Sequence, residues 1–154
     1  MIDISINEVK SFDYRLIDEI KNLEKKNLGS EASINQWVIP VIIRYGKLII
    51  AQKISDNKIV GVCELVKNWY DMRAAFIHSL YVDREFRSKG IGKKLISEVI
   101  NILKKENLES VELTVDPENM TVINLYKGFG FILVSLEKDE YGKAVDRYLM
   151  RLKL

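Results

Sequence analysis

The spacing of apolar residues changes from helical to strand-like about a third of the way along the chain. Near the start, apolar residues recur at i, i+1, i+4 and i+7, which predicts an amphipathic helix over 14–26 with Ser11 as its N-cap. A loosely alternating segment over 2–9 predicts an edge strand before it, and a weaker helix is expected over about 31–38, ending before Pro40. The apolar positions of the first helix are Leu16, Ile17, Ile20 and Leu23.

The middle of the chain alternates with period two and is rich in β-branched residues. This pattern predicts three consecutive antiparallel strands, over 47–53, 59–66 and 74–82. Polar turn residues separate them at Asp56-Asn57 and again at 68–71.

The last part of the chain alternates helices with strands. Its clearest helix is predicted over 91–106, because the apolar residues of that segment fall on one side. With the strands before and after it, this helix predicts a right-handed crossover between two parallel strands. The order β-α-α-β-β-β-α-β-α-β-β predicts an α+β (mixed α/β) fold: a central mixed, mostly antiparallel sheet of about seven strands with helices on both faces. The remaining predicted elements are a strand over 110–115, a helix over 121–127, and strands over 131–136 and 145–152.

Length and composition limit the class of protein. The 154 residues predict a single domain over 1–154, and 47% hydrophobic with 30% charged residues is ordinary for a soluble globular protein. A net charge of +2 argues against a strongly basic nucleic-acid binder. The chain begins MIDISINEVK, with no apolar signal-peptide core, and carries no 18-residue apolar run. We therefore expect no nucleic-acid partner, no membrane segment and a cytoplasmic location.

Histidine and cysteine are scarce, which limits the available chemistry. One His and one Cys exclude an internal disulfide and the usual His/Cys zinc clusters, so no metal is expected. If the chain is an enzyme, its chemistry must come from carboxylates, tyrosines, backbone amides or a cofactor.

The segment 87–92 reads Arg-Ser-Lys-Gly-Ile-Gly and lies between a predicted strand and the clearest helix. The first amides of a helix lack intrahelical partners, and glycines let an anion approach the backbone, so a phosphate or pyrophosphate is the natural ligand. A Walker A loop is excluded because Arg87 and Lys94 stand where it needs Gly and Ser or Thr. A dinucleotide fingerprint fails because Leu95 replaces its third glycine. A glycine-assisted turn with a solvated basic rim is the alternative interpretation.

Three linked segments resemble the GNAT acetyltransferase superfamily. The pattern Arg87-x-x-Gly90-x-Gly92 is similar to that family's acyl-CoA-binding motif, and the segment 80–83 (Leu-Tyr-Val-Asp) is similar to the strand that leads into it. Downstream, the segment 119–131 resembles the family's Asn…Leu-Tyr…Gly-Phe pattern. The resemblance extends from about residue 60 to the C-terminus, whereas the first 45 residues match only in general layout.

The resemblance implies a site for acetyl-CoA. The pyrophosphate would bind the backbone amides of 88–93, and the pantetheine arm would pair with the backbone of Leu80 and Val82. Asn119 would hydrogen-bond the arm, although Asn is also a favoured helix N-cap. The residues implied in coenzyme binding are Leu80, Tyr81, Val82, Arg87, Ser88, Lys89, Gly90, Ile91, Gly92, Lys93, Asn119 and Tyr126.

The resemblance also implies a direct transfer in which an amine attacks the acetyl carbonyl. Tyr126 matches the family's general acid, which protonates the departing CoA thiolate, and its alternative role is to fill space between helix and sheet. Phe76 and Thr114 stand where some family members carry a glutamate base. Glu64 and His78 are therefore the candidates for the general base. Alternatively, Glu64 is a solvent-facing strand residue and His78 has a structural role. A water chain, or an α-amine with its pKa of ~8, would remove the need for a base.

The resulting hypothesis is an N-acetyltransferase that uses acetyl-CoA as co-substrate. Its acceptor would be a primary amine of a small molecule or of a peptide N-terminus, and the protein would be a monomer or homodimer. A second class is a catalytically weak acyl-CoA-binding sensor or interaction module. A third is a phosphate-binding domain unrelated to acyl transfer.

Overall fold

The computed structural model describes residues 2–30 and 36–154, which form seven strands, four α-helices and one 3₁₀ turn within those ranges. The observed order of elements is the predicted one, and most boundaries fall close to the predicted positions. A 3₁₀ turn after the fourth strand was not predicted. The elements are β1 (Ile4–Val9), α1 (Tyr14–Leu28), α2 (Val38–Tyr45), β2 (Lys47–Lys53), β3 (Ile59–Lys67), β4 (Ala74–Val82), the 3₁₀ turn (Arg84–Phe86), α3 (Ile91–Lys105), β5 (Ser110–Val115), α4 (Met120–Gly128), β6 (Ile132–Glu137) and β7 (Arg147–Lys153).

The seven strands form one mixed sheet in the order β1-β2-β3-β4-β5-β7-β6. Strands β4 and β5 are parallel, as the crossover through α3 requires, and the β1–β2, β2–β3, β5–β7 and β6–β7 pairs are antiparallel. The Asp83 amide donates to the Val60 carbonyl, and the Asn68 amide donates to the Ala74 carbonyl. Because these bonds join opposite ends of β3 and β4, the two strands also run antiparallel. The predicted mixed, mostly antiparallel sheet is confirmed.

The chain forms two compact units, and β4 contributes to both. The first consists of Met1–Val66 and Ser79–Ile102, and the second of Lys67–His78 and Leu103–Leu154.

Within the first unit, helices cover both faces of the sheet. One face of β2 and β3 is buried against α1 and α2, while Ala51 and Val60 on the opposite face pack with Ile91 of α3. Burying an aliphatic side chain of this size contributes about 1.5–3 kcal/mol, so these layers are the main support of the unit. The residues buried on the α1–α2 face include Ile20, Leu23, Ile39, Ile42, Ile43, Leu48, Ile50, Val62 and Tyr81.

The second unit is built on alternate residues of β5. Val111, Leu113 and Val115 are buried, and the residues between them are half-buried. Leu113 lies opposite the buried Met150 of β7. This strict alternation is the period-two pattern that predicted the strand.

The predicted N-cap of α1 was wrong. Asp13, not Ser11, precedes the helix, and its Oδ1 accepts hydrogen bonds from the amides of Arg15 and Leu16, each at 3.0 Å. Ser and Asp both favour the N-cap position, but the Asp13 carboxylate is in addition attracted to the positive end of the helix dipole.

The prediction that the second helix ends before Pro40 was also wrong. Helix α2 begins at Val38 and runs through Pro40 to Tyr45. Pro40 is its third residue, where the missing amide costs nothing because the first amides of a helix have no intrahelical partner. The part of the predicted helix over 31–35 lies outside the described residues.

Candidate active site

The loop between β4 and α3 has a backbone conformation suited to an anion. Gly90 has φ +79° and Ser88 has φ +60°, and both values lie in the left-handed region. The Gly90 carbonyl accepts the first bond of α3 from the Lys94 amide at 3.1 Å. The amides of 91–93 therefore lie in the first turn of α3, where the helix dipole is positive and intrahelical acceptors are absent.

Basic side chains surround this loop. Arg87 Nε donates to the Val82 carbonyl at 3.0 Å, and Lys89 Nζ donates to the Glu85 carbonyl at 3.0 Å. The ammonium groups of Lys53, Lys58 and Lys89 lie 5.9, 5.0 and 5.2 Å from the centre of the Phe86 ring. The loop is therefore bordered by positive charge within the first unit.

The last turn of α1 holds the start of this loop in position. Lys26 Nζ lies 2.9 Å from the buried Asp83 carboxylate, and Asn27 Oδ1 accepts a hydrogen bond from the Arg84 amide at 2.9 Å. Burial acts to raise the pKa of Asp83, but the hydrogen bond from Lys26 and the Glu85 amide outweigh it, so this pKa lies below its ordinary value. Sequence reasoning missed these α1 residues because more than fifty positions separate them from the loop.

Glu64 is enclosed in the core of the first unit and is not a solvent-facing strand residue. It and Glu24 of α1 are both fully buried. Burial, followed by a hydrogen bond with Glu24 and by the Glu24 charge, raises the pKa of Glu64 to about 9. Burial, followed by the charges of Glu24 and Glu64, also raises the pKa of the Tyr81 phenol, whose ring is 4% exposed.

Cys63 is a core residue of β3. It is fully buried, and burial followed by the Glu64 charge raises the pKa of its thiol. A thiol held neutral in this way is a poor nucleophile.

In the second unit, Asn119 and Tyr126 both lie on α4. Asn119 is the N-cap, and its Oδ1 accepts from the Val122 amide at 3.2 Å. Tyr126 is 6% exposed, and its ring centre lies 5.3 Å from that of Phe131 at a tilt of 55°. The Tyr126 carbonyl also accepts from the Phe131 amide at 3.1 Å, so this segment fixes the tyrosine firmly.

His78 is exposed on β4, in the second unit. Partial desolvation lowers the pKa of its imidazole below the ordinary value, so the ring is mainly neutral at pH 7. Thr114, where some family members carry a base, instead shares a 3.3 Å hydrogen bond with the Tyr141 hydroxyl.

The candidate residues are therefore divided between the units. The glycine loop, Leu80, Tyr81, Val82 and Glu64 belong to the first, while His78, Asn119 and Tyr126 belong to the second.

Residues 2–30 and 36–154 contain no group of three His, Cys, Asp or Glu side chains arranged to hold a metal ion. No helix in these ranges has both the length and the apolar character that a membrane span needs.

Comparison with known proteins identifies the family. The model of the acetyltransferase (GNAT) family matches residues 17–131, which is most of the chain. The chain belongs to the GNAT family. The match includes the glycine loop and the segment around Tyr126, so both motifs lie within the region that defines the GNAT resemblance.

Two relatives have names that specify N-acetylation. "N-alpha-acetyltransferase 50" of Danio rerio is 25% identical over 148 residues, which cover 88% of each chain. An uncharacterised N-acetyltransferase of Methanocaldococcus jannaschii is 41% identical over 90 residues. That stretch covers 58% of this chain and only 38% of the archaeal protein.

The fold is also that of solved GNAT structures. A chain in the crystal structure of the NatC complex bound to Gag peptide and CoA superposes with a TM-score of 0.86, at 22% identity and over 99% of both chains. At this identity the likeness establishes the seven-stranded GNAT fold.

Proposed function

We propose that this GNAT protein is an N-acetyltransferase that moves an acetyl group from acetyl-CoA to a primary amine. The observation that carries this proposal is the glycine loop at the start of α3, with its free helical amides and basic border. The match to an N-alpha-acetyltransferase over 88% of both chains supports a peptide N-terminus as the amine. A small-molecule amine is the other acceptor class.

The loop fits the pyrophosphate of the coenzyme. A side chain added at Gly90 would meet nothing within 4 Å, so the backbone there is open to a ligand. The amides of 88–93 would hold the phosphates, while Arg87, Lys89 and Lys93 supply positive charge. The backbone of 80–82 and the Asn119 side chain would hold the pantetheine arm. When bound, acetyl-CoA supplies an activated acyl group on a good leaving group.

Tyr126 is proposed as the general acid. A tyrosine hydroxyl is a donor that can protonate a thiolate as it leaves. The packing of its ring against Phe131 and the hydrogen bond at its carbonyl support a fixed orientation, which a proton donor requires.

His78 and Glu64 remain the candidate bases, and two observations favour His78. Its imidazole is exposed and mainly neutral at pH 7, so it can accept a proton. Glu64 is fully buried and its pKa is raised well above its ordinary value, chiefly by burial, so it is a poor proton acceptor near neutral pH. An α-amine, whose pKa is ~8, is partly neutral without any base.

We further propose a cytoplasmic protein that is active as a monomer or homodimer. The fit of the loop to a soluble coenzyme supports this location.

The proposal is tested with purified protein, acetyl-CoA and a panel of N-terminal peptides, polyamines and small amines. Calorimetry measures acetyl-CoA binding, and release of free CoA thiol measures turnover. We expect binding, and turnover with at least one amine. Binding without turnover on any amine would favour the sensor alternative, and absence of binding would contradict both.

A further inference from the structure

The last strand of the sheet has an outer edge that no other strand of residues 2–30 and 36–154 covers. Strand β6 stands at one end of the strand order, and its inner edge pairs with β7. Its first three residues, Ile132, Leu133 and Val134, are 65, 50 and 42% exposed, and Leu136 is 46% exposed. Successive side chains of a strand point to opposite faces, so apolar surface is exposed on both faces of the sheet at this edge. A run of exposed apolar residues of this kind is unusual unless it is functional.

The strand at the opposite end of the sheet is protected. In β1, Ile4 and Ile6 are half-buried and pack against buried residues of β2 and β3, and Glu8 forms an ion pair with Lys47 at 3.1 Å. Charged side chains on an edge strand discourage pairing with another chain. The segment 131–136 (Phe-Ile-Leu-Val-Ser-Leu), in contrast, has no charge and no proline. Strand β6 therefore lacks the protection that β1 has.

Strand β6 also carries a β-bulge, where its register with β7 shifts between Leu133 and Ser135. A bulge bends a strand and increases its twist, which hinders pairing with a flat strand of a different shape. Two copies of β6 have the same bulge, so a symmetric pair of them would have matching twist. The bulge therefore favours an identical strand as the neighbour of this edge.

The charges at the two ends of β6 also fit a second copy of the chain. Lys127, in the last turn of α4, precedes the strand, and the acidic segment 137–140 (Glu-Lys-Asp-Glu) follows from its last residue. A two-fold axis makes the paired strands antiparallel and places the apolar residues 132–136 of one copy beside those of the other. The basic start of each strand then lies beside the acidic end of its partner, whereas a parallel pair would bring like charges together.

The surface available at this edge suits a reversible dimer. Four exposed aliphatic side chains and one strand edge amount to roughly half of the surface that each partner buries in a standard interface of about 800 Å² per side. Backbone hydrogen bonds along the paired strands add to this apolar contact. We therefore expect a dissociation constant in the micromolar range.

We propose that β6 is an interface between two copies of this chain, which pair antiparallel through their outer edges and continue the sheet across a two-fold axis. The inference goes beyond the proposed function, because it names the strand that forms the homodimer. It stands on the exposure, sequence and charge of β6 and does not depend on acetyl transfer.

Sedimentation velocity at protein concentrations from about 1 to about 500 µM tests this pairing. We expect the wild-type mass to rise from that of one chain to that of two and no further, because a two-fold interface closes on itself. Ile132→Lys and Val134→Lys place a charge at exposed positions of the edge, so each should raise the dissociation constant at least about tenfold. Both variants should keep the far-UV spectrum and melting temperature of the wild type.

Two matched controls place the same charge elsewhere. Asn7→Lys puts it at an exposed position of β1, the strand at the opposite end of the sheet. Val41→Lys replaces a valine of α2 that is 51% exposed. Both should dimerise like the wild type, because neither position lies on β6.

An introduced cysteine locates the contact directly. The chain has one native cysteine, Cys63, and it is fully buried, so a cysteine added on β6 is the accessible thiol. Val134 lies near the middle of β6, where a two-fold axis brings the two copies within reach of a disulfide. Mild oxidation should link Val134→Cys into dimers and leave Asn7→Cys unlinked.

Several results would overturn the proposed interface. One is a wild type that stays monomeric up to about 500 µM, a concentration at which a micromolar dimer is formed. Another is a dimer that survives in both lysine variants, or a mass that grows beyond two chains. A third is oxidation that links Asn7→Cys as readily as Val134→Cys, since the contact would then lie outside β6.

Discussion

The two candidate bases, Glu64 and His78, have very different environments in this GNAT protein. Glu64 is fully buried with a raised pKa, whereas His78 is exposed with a lowered one. Residue identity made both of them candidate bases, but whether a side chain can accept a proton depends on its burial and its neighbours. Those properties arise from contacts that are distant in sequence.

The clearest residue-level prediction concerns Tyr126. Tyr126→Phe removes only the hydroxyl, so the packing against Phe131 is retained. We expect kcat to fall about 10²-fold or more, the range typical of a general acid, with acetyl-CoA affinity within about threefold of the wild type. Single-turnover kinetics with calorimetry measures both quantities.

Tyr45→Phe is the matched control, because Tyr45 is an 81% exposed tyrosine at the end of α2. An unchanged rate in Tyr126→Phe would remove this residue from the mechanism and leave it a core aromatic.

At the scale of elements, patterns within a short segment were reliable and boundaries that depend on capping were not. Strands β2, β4 and β5 begin and end at the predicted residues, because their alternation is a local property. The N-cap of α1 is Asp13 instead of the predicted Ser11, because both residues are suitable caps. Pro40 lies inside α2 and does not end it, because the first turn of a helix tolerates proline.

The prediction at the scale of elements concerns the glycine loop before α3. Gly90→Val introduces a β-branched side chain at φ +79°, a conformation that such residues rarely adopt, although space is available around it. We expect loss of measurable acetyl-CoA binding, because the amides of 88–93 would be reoriented. The free energy of unfolding should fall by only about 1–2 kcal/mol. Calorimetry and denaturant unfolding check the two expectations.

Gly128→Val is the matched control. It lies at the end of α4 with nothing within 4 Å of an added side chain, and it is outside the glycine loop. Retained affinity in Gly90→Val would mean that the loop is not the phosphate site.

At the scale of the whole molecule, the sequence predicted the element order, the mixed sheet and the glycine loop. It did not predict the burial of Glu24 and Glu64 or the contacts of Lys26 and Asn27 with the residues after β4. These contacts join positions about 40 to 57 residues apart, and no periodicity or motif reports them. The scarcity of His and Cys agrees with direct transfer from a thioester, which requires neither a metal nor a covalent protein nucleophile.

Transfer of an acetyl group to an amine is the central activity proposed for this protein. The most direct test follows isotope-labelled acetyl-CoA with an N-terminal peptide and measures the label on the peptide against the CoA thiol released. We expect label on the peptide α-amine in one-to-one ratio with free thiol, and its loss in Gly90→Val. A peptide that stays unlabelled while labelled acetate appears, or a protein that leaves acetyl-CoA unbound, would contradict the account.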